Sequence, residues 1–236
     1  MARREGAAEG RLAGWTVLVT GGGRRIGAAV CRRLAAEGAR VAVHHRRSAA
    51  ETAALCAELG GGTFAVAGDL AAPGGAEVVW AAALDGAGGK IDGVVNNAAQ
   101  FLRDDAGEAA LAAMDAVNRA APLRLAELAE AAGARAVVQI GDGRVAAGDD
   151  PAAAWGGGFS RYAAGKRAMA AESAALAARW RAEGRRCRLS TVHPGAALRP
   201  AERGIPAGPP GAGPATPEAV AEAVFRCFAE AAVSRS

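Results

Sequence analysis

The sequence predicts an α/β protein, a doubly wound parallel sheet with helices on both faces, built as one domain over residues 1–236. Three observations predict it. Short apolar runs alternate with longer stretches of helical periodicity along the whole chain. The first run, Trp15 to Thr20, ends in Gly21-Gly22-Gly23 and passes directly into a helical pattern. The 51% hydrophobic content comes mostly from Ala, Val and Leu, with aromatics at 4%, so the core is built from small aliphatic contacts between helices and a sheet.

After the strand at 15–20, a helix runs from Ile26 to Glu37 and Gly38 closes it. Arg40 to His44 reads as the second strand, and Ser48 as the N-cap of a helix reaching to about Leu59, which completes a βαβ unit. The alternation continues with a strand near Thr63–Ala67, a helix near Ala76–Leu84, a strand at Ile91–Val95, one long helix over Glu108–Ala132 and a fifth strand at Ala136–Ile140. Beyond the glycine-rich stretch 141–158, a helix spans Ser160 to Arg181, and a sixth strand, Arg188–Val192, ends in His193-Pro194-Gly195. A last helix runs from Pro217 to about Ala231. Parallel strands joined in this way need right-handed crossovers, and ligands bind beyond their carboxyl ends. Residues 1–13 read as a flexible tail, and the Pro- and Gly-dense segment 196–216 as a substrate lid loop.

Composition removes several function classes. A net charge of +4, from 28 basic and 24 acidic residues spread along the chain, is too small for a nucleic-acid surface, and no aromatics interleave with the arginines. The local pairs Arg24-Arg25 and Arg46-Arg47 suit one or two phosphates instead. The four cysteines lack CxxC spacing and the three histidines form no HxxxH, so free thiols and no metal site are expected. The start of the chain has no apolar signal segment and no apolar run is long enough to span a bilayer, which points to a cytoplasmic protein without a membrane partner.

Three clusters carry chemistry. The turn Thr20 to Gly27 lies at a strand-to-helix junction, where glycines let the backbone approach a pyrophosphate held by N–H groups and the helix dipole. At the end of the second strand, His44-His45-Arg46-Arg47-Ser48 offers cations and a hydroxyl where an NAD site places an acidic residue on the ribose; this favours the 2′-phosphate of NADPH. Third, Tyr162 and Lys166 share a helix face at i and i+4, so the lysine cation can lower the phenol's pKa and reach the cofactor ribose, and the phenol can donate a proton as hydride arrives. Tyr162 is the sole tyrosine.

Taken in order, TGxxxxxG at 20–27, Asp69-Leu70, Asn96-Asn97-Ala98-Ala99, Asn118, YxxxK at 162–166 and Pro194-Gly195 resemble the short-chain dehydrogenase/reductase family over nearly the whole chain. The resemblance implies a single NADP-binding Rossmann domain. Tyr162 would be the proton donor, Lys166 would bind ribose and polarise the tyrosine, and Asn118 would hold a water of the proton relay. Asp69 and Leu70 would border the adenine, Asn97 and Ala98 would lie along the cofactor, and Gly21, Arg25, Ile26, Gly27, Pro194 and Gly195 would complete its site. A small-molecule substrate and a homo-oligomer, tetramer or dimer, are the family habit.

Two departures narrow the resemblance. Asp142 stands where the family's catalytic serine ends the fifth strand, and Arg25 replaces the middle glycine of the cofactor turn. Both resemble the pteridine reductase branch, as do the stretch His44 to Glu51 and the position of Phe101, which falls at that branch's pterin-stacking phenylalanine; Ala99 departs from it, since serine is common there. Substrate-binding residues by this resemblance are Phe101, Arg25, Asp142 and Tyr162. Reducing a C=N bond needs a hydride at carbon and a proton at nitrogen, and a partly buried carboxyl could relay that proton. The family also adds a seventh strand after its last helix, whereas this chain stops at Ser236, leaving the sheet edge and any interface built there open. The expected activity is therefore NADPH-dependent reduction of a pteridine or similar N-heterocycle at C=N, with catalytic Asp142, Tyr162, Lys166 and Asn118. The alternatives are a keto reductase of secondary or fatty-acid metabolism, and a non-catalytic NADPH-binding regulator.

Overall fold

A computed structural model of the chain describes residues 10–146, 157–195 and 216–233. Six parallel strands form one sheet in the order β3-β2-β1-β4-β5-β6. They are β1 Thr16–Val19, β2 Arg40–His45, β3 Phe64–Ala67, β4 Gly93–Asn96, β5 Ala136–Ile140 and β6 Arg188–Val192. The strand order reverses between β1 and β4, so their carboxyl ends open a crevice at the switch point. Helices α1 Arg25–Ala36, α2 Ala49–Leu59 and α3 Gly75–Ala87 follow the first three strands.

The pleat explains the two-sided core. Along β1, Val17 and Val19 enter one buried cluster and Leu18 the other. β5 divides likewise, with Val138 on the first side and Val137 on the second. The first layer is covered by α1 and by α8, Pro217–Val233, and the second by α3, by α5, Ala121–Ala131, and by the long helix α7, Ser160–Ala182. A side chain at Gly93 is excluded because the Phe228 ring of α8 occupies the place its Cβ would take.

The single long helix expected over Glu108–Ala132 is instead broken. Helix α4, Glu108–Asp115, passes into a π-helical turn at Ala116–Ala120 before α5. Within it, the Ala121 N–H donates to the carbonyl five residues back, at Ala116. Pro122 follows immediately and has no N–H to give, so the regular ladder cannot run through this point. A short turn, α6, covers Gly143–Ala146.

At the amino ends of the strands, opposite the crevice, Asp92 is buried. Its carboxylate accepts from Thr16 N at 3.0 Å, Lys90 Nζ at 2.8 Å and Arg135 Nη2 at 2.8 Å, and the Arg135 guanidinium lies 3.6 Å above the Trp15 ring. Burial opposes the charge on Asp92, but these donors outweigh it and hold the carboxyl below its usual range.

The tail expected over 1–13 does not extend through residues 10–13. Leu12 is fully buried and its N–H donates to Glu37 O at 2.9 Å. The expected lid lies outside the described residues except for Thr216. Among the described residues β6 forms the second edge of the sheet, and no helix is long and apolar enough to cross a membrane.

Candidate active site

The crevice at the switch point is a cavity of about 480 Å³. One wall is the glycine turn between β1 and α1. Gly21 has φ +61°, and a Cβ on Gly27 would collide with Gly21 O, so turn and helix come closer than any side chain allows. Arg25 is the one non-glycine described residue with positive φ, at 54°. It holds a left-handed backbone that suits glycine, at a steric cost for a residue with a Cβ.

Two side chains brace this turn. Asn97 Nδ2 donates to Thr20 O at 2.9 Å and Gly21 O at 3.0 Å, and the Thr20 hydroxyl accepts from the Asn97 and Ala98 N–H groups. On the other side, Gly21 N donates to His44 Nδ1 at 3.1 Å, which leaves Nε2 to donate to Gly68 O at 3.2 Å. Burial pushes His44 down to about 4, so the ring is neutral at physiological pH. The sequence places His44 at the head of a basic motif and shows no separate role for it, because the two backbone groups it bridges lie in other strand-to-helix turns.

Beyond His44 the cavity is basic. Arg24 pairs with Glu51 at 3.4 Å and Arg46 with Asp69 at 3.6 Å, whereas Arg47 makes no ion pair among the described residues. Ser48 occupies the N-cap of α2, as expected, but its hydroxyl gives no capping bond. A Cβ on Gly23 would collide with Thr52 Oγ1 and stand 3.1 Å from Ser48 Oγ. A glycine cradle, a guanidinium without an ion pair among the described residues and an unused hydroxyl fit a phosphate-bearing dinucleotide, and every residue expected to hold the cofactor borders this one cavity.

At the opposite end stand Asp142, Tyr162 and Lys166. The Tyr162 hydroxyl donates to Asp142 Oδ2 at 2.9 Å, while Asp142 Oδ1 accepts from Arg144 N at 3.0 Å. Lys166 Nζ donates to Ile140 O at 2.9 Å, at the end of β5. Burial pushes Lys166 down to about 8, against the pull of the Asp142 charge. Burial, with the Asp142 charge and hydrogen bond, drives Tyr162 well above the ordinary phenol range. The lowering expected from Lys166 is thus reversed, first by burial and then by the Asp142 carboxylate, both of which favour the neutral phenol.

Two expected site residues stand elsewhere. Phe101 does not border the cavity; its ring stacks on Phe159 at 4.4 Å and 13° and meets the Tyr162 ring edge-on at 4.6 Å. Asn118, in the π-helical turn, is buried, and its amide is engaged in both directions with Gln100: Gln100 N donates to Oδ1 and Nδ2 donates to Gln100 O, each at 2.8 Å. Its side chain ties the π-helical turn to the loop after β4. Among the described residues no group of three or more His, Cys, Asp or Glu could hold a metal ion.

Comparison with known proteins agrees with this architecture. Solved structures similar to the chain include the promiscuous reductase LugOII, which catalyses keto-reduction at C1 during lugdunomycin biosynthesis, at 26% identity and a TM-score of 0.73 over 94% of this chain and 93% of that one. Another is the landomycin C-6 ketoreductase LanV with bound NADP and rabelomycin, at 25% identity and a TM-score of 0.75 over 92% and 90% of the two chains. The family model described as short chain dehydrogenase matches residues 15–205, which contain the glycine turn, Asp142, Tyr162 and Lys166. The chain therefore belongs to the short chain dehydrogenase family.

Proposed function

We propose that the chain is an NADPH-dependent reductase that acts on a ketone of secondary metabolism. The observation that carries the reading is one continuous cavity, with Arg47 and the unused Ser48 hydroxyl at one end and Tyr162 with Lys166 at the other. The likeness to two keto-reductases, one solved with NADP, supports the ketone over the C=N bond that the sequence puts first.

NADPH bound along the glycine turn would supply the hydride. The chain's own residues manage the proton. A carbonyl oxygen beside Tyr162 replaces Asp142 Oδ2 as acceptor of the phenolic O–H, and the phenol proton moves to that oxygen as it gains charge. The tyrosine oxygen then regains a proton from water entering the open end of the cavity, a step that does not need Asp142. Lys166, charged below about pH 8, stabilises the anion that forms on Tyr162. Arg47 and Ser48 hold the 2′-phosphate, where a cation and a hydroxyl favour NADPH over NADH.

A second reading, reduction of C=N in a pterin or related N-heterocycle, rests on the 2.9 Å contact between Asp142 and Tyr162, since a carboxyl at this place suits protonation of a ring nitrogen. The Phe159 ring on Phe101 weighs against the stacking platform that this reading used. NADPH oxidation with aromatic ketones, dihydropterins and a cyclic imine, run side by side, separates the two. Ketone turnover that survives Asp142→Ala supports the first; pterin or imine turnover that collapses in Asp142→Ala replaces it with the second. NADPH binding without turnover on any of them sinks both and leaves the regulator.

A further inference from the structure

Helix α7 carries Tyr162 in its first turn, and the residue at its N-cap, Phe159, supplies no side-chain hydrogen bond to that turn. The missing acceptor comes from the loop after β4. Asp104 Oδ2 accepts from Ser160 N at 2.9 Å and Oδ1 from Arg161 N at 3.0 Å, one carboxylate spanning both N–H groups. In return, Asp104 N donates to Gly158 O at 2.8 Å. The clamp is therefore reciprocal and joins residues more than fifty positions apart.

The same loop touches Tyr162 itself. Phe101, three residues before Asp104, meets the Tyr162 ring edge-on at 4.6 Å and stacks on Phe159 at 4.4 Å. Its near end is tied to the cofactor side of the site, through Gln100 on Asn118 and Asn97 on the glycine turn. One hydrogen-bonded segment thus runs from the dinucleotide cradle to the first turn of the catalytic helix. We propose that Asp104 is a positioning residue, whose carboxylate holds the first turn of α7 so that the Tyr162 hydroxyl stays aligned on the reacting end of the cavity. The proposal rests on Tyr162 being the proton donor, and it adds what keeps that donor in register. Burial opposes the charge on Asp104, but the Arg161 and Ser160 donors keep its carboxyl below the usual range, so the clamp is ionised at neutral pH.

An ordinary helix cap stabilises the fold by about 1 kcal/mol and leaves the folded site unchanged. A positioning role alters the environment of Tyr162 in molecules that are still folded. Because the chain has one tyrosine, the tyrosinate absorbance of the full-length protein reads Tyr162 alone. The ionisable groups facing it, Asp142 and Lys166, are the same in every variant compared. In the unaltered chain burial and the Asp142 carboxylate hold the phenol neutral beyond the ordinary phenol range. In Asp104→Ala it is expected to ionise at least about one unit lower, as the turn loosens and water reaches the ring. Asp104→Asn, which keeps one acceptor oxygen, should shift less in the same direction. Asp105→Ala, which removes the partner of Arg103 at 3.6 Å and leaves the clamp intact, should leave the titration in place. With a turned-over substrate, Asp104→Ala should lose about tenfold in kcat at unchanged KM for NADPH.

A Tyr162 titration in Asp104→Ala that coincides with that of the unaltered chain, while circular dichroism shows both folded, overturns the proposal. If the alanine variant unfolds first, Asp104→Asn is read by the same rule. The titration needs no substrate, so its outcome holds even if ketones prove not to be turned over.

Discussion

The Tyr162 hydroxyl points its proton at Asp142 Oδ2, 2.9 Å away, so the group that should protonate a substrate is already engaged by a carboxylate of the protein. Tyr162→Phe should therefore abolish reduction, by a hundredfold or more, at nearly unchanged NADPH affinity, since the phenyl ring remains and only the proton is lost (about 10²–10⁴ for a positioned acid). Asp142→Ser should leave ketone turnover within about tenfold of the parent, or raise it, because a hydroxyl can replace the carboxylate as partner of the phenol. Steady-state NADPH oxidation measures both, and retained turnover in Tyr162→Phe would exclude it as the proton donor.

Arg47 and Arg46 are adjacent, yet among the described residues only Arg46 has an acidic partner, Asp69. Arg47→Ala should weaken NADPH binding by about tenfold or more, the scale of one charge-assisted hydrogen bond, with NADH nearly unaffected. Arg46→Ala should cost less, since that guanidinium gives up an existing pair to bind. Fluorescence titration with the two cofactors gives the ratio; equal losses for NADPH and NADH would place the 2′-phosphate elsewhere.

The buried Lys166 releases its proton at about 8, whereas an unfolded lysine holds it to about 10.4. Two consequences follow with opposite sign. Activity that needs the cation should fall as pH rises through about 8. Over the same interval the unfolded chain binds more protons than the folded one, so Lys166 makes the fold more stable, not less, as pH rises. A pH series of kcat/KM beside one of denaturant unfolding checks both, and parallel trends would contradict the assignment.

His44 is neutral down to about 4 in the fold but takes a proton near 6.5 when unfolded. Its contribution is present above about 6.5 and is lost as pH falls toward 4, amounting to as much as about 3 kcal/mol. His44→Asn should be less stable than the parent at pH 7 and flatter in its pH dependence below 6.5. A melting series that falls equally steeply in both chains would assign acid sensitivity to other groups.

Arg25 holds φ at 54° without being glycine. Arg25→Gly should stabilise the chain by about 1 kcal/mol, or a few degrees in Tm, by relieving a left-handed Cβ. A fall in Tm would mean that contacts of the arginine outweigh the strain.

The fold is legible in the sequence because glycine, strand and helix signals are local, and β1 with its turn and α1 is read from about twenty consecutive residues. The residues bordering the cofactor cavity are legible for the same reason, since most lie just beyond the carboxyl end of a strand that the pattern marks, while Tyr162 and Lys166 stand one turn apart on a single helix. What escapes depends on distant partners. Phe101 is apolar and aromatic in any sequence reading, but whether its face is open depends on Phe159, beyond the glycine-rich stretch. Asp104 caps a helix that begins at Ser160, so no capping box is visible in the sequence around either. Asn118 falls within Val117-Asn118 as expected, but the target of its amide is a backbone group eighteen residues earlier. The break in the long helix does carry a local signal, Pro122, which the strong apolar periodicity around it overrides.

The ion cluster of Asp92, Arg135 and Lys90 with Trp15 sits at the amino ends of the strands, while the cavity lies at their carboxyl ends. The sheet thereby works as a spacer between a foundation and a workbench. Sequence change at the foundation should register in folding and leave kinetic constants alone, and change in the crevice should do the reverse. Such a chain can exchange one substrate for another without rebuilding what keeps it folded.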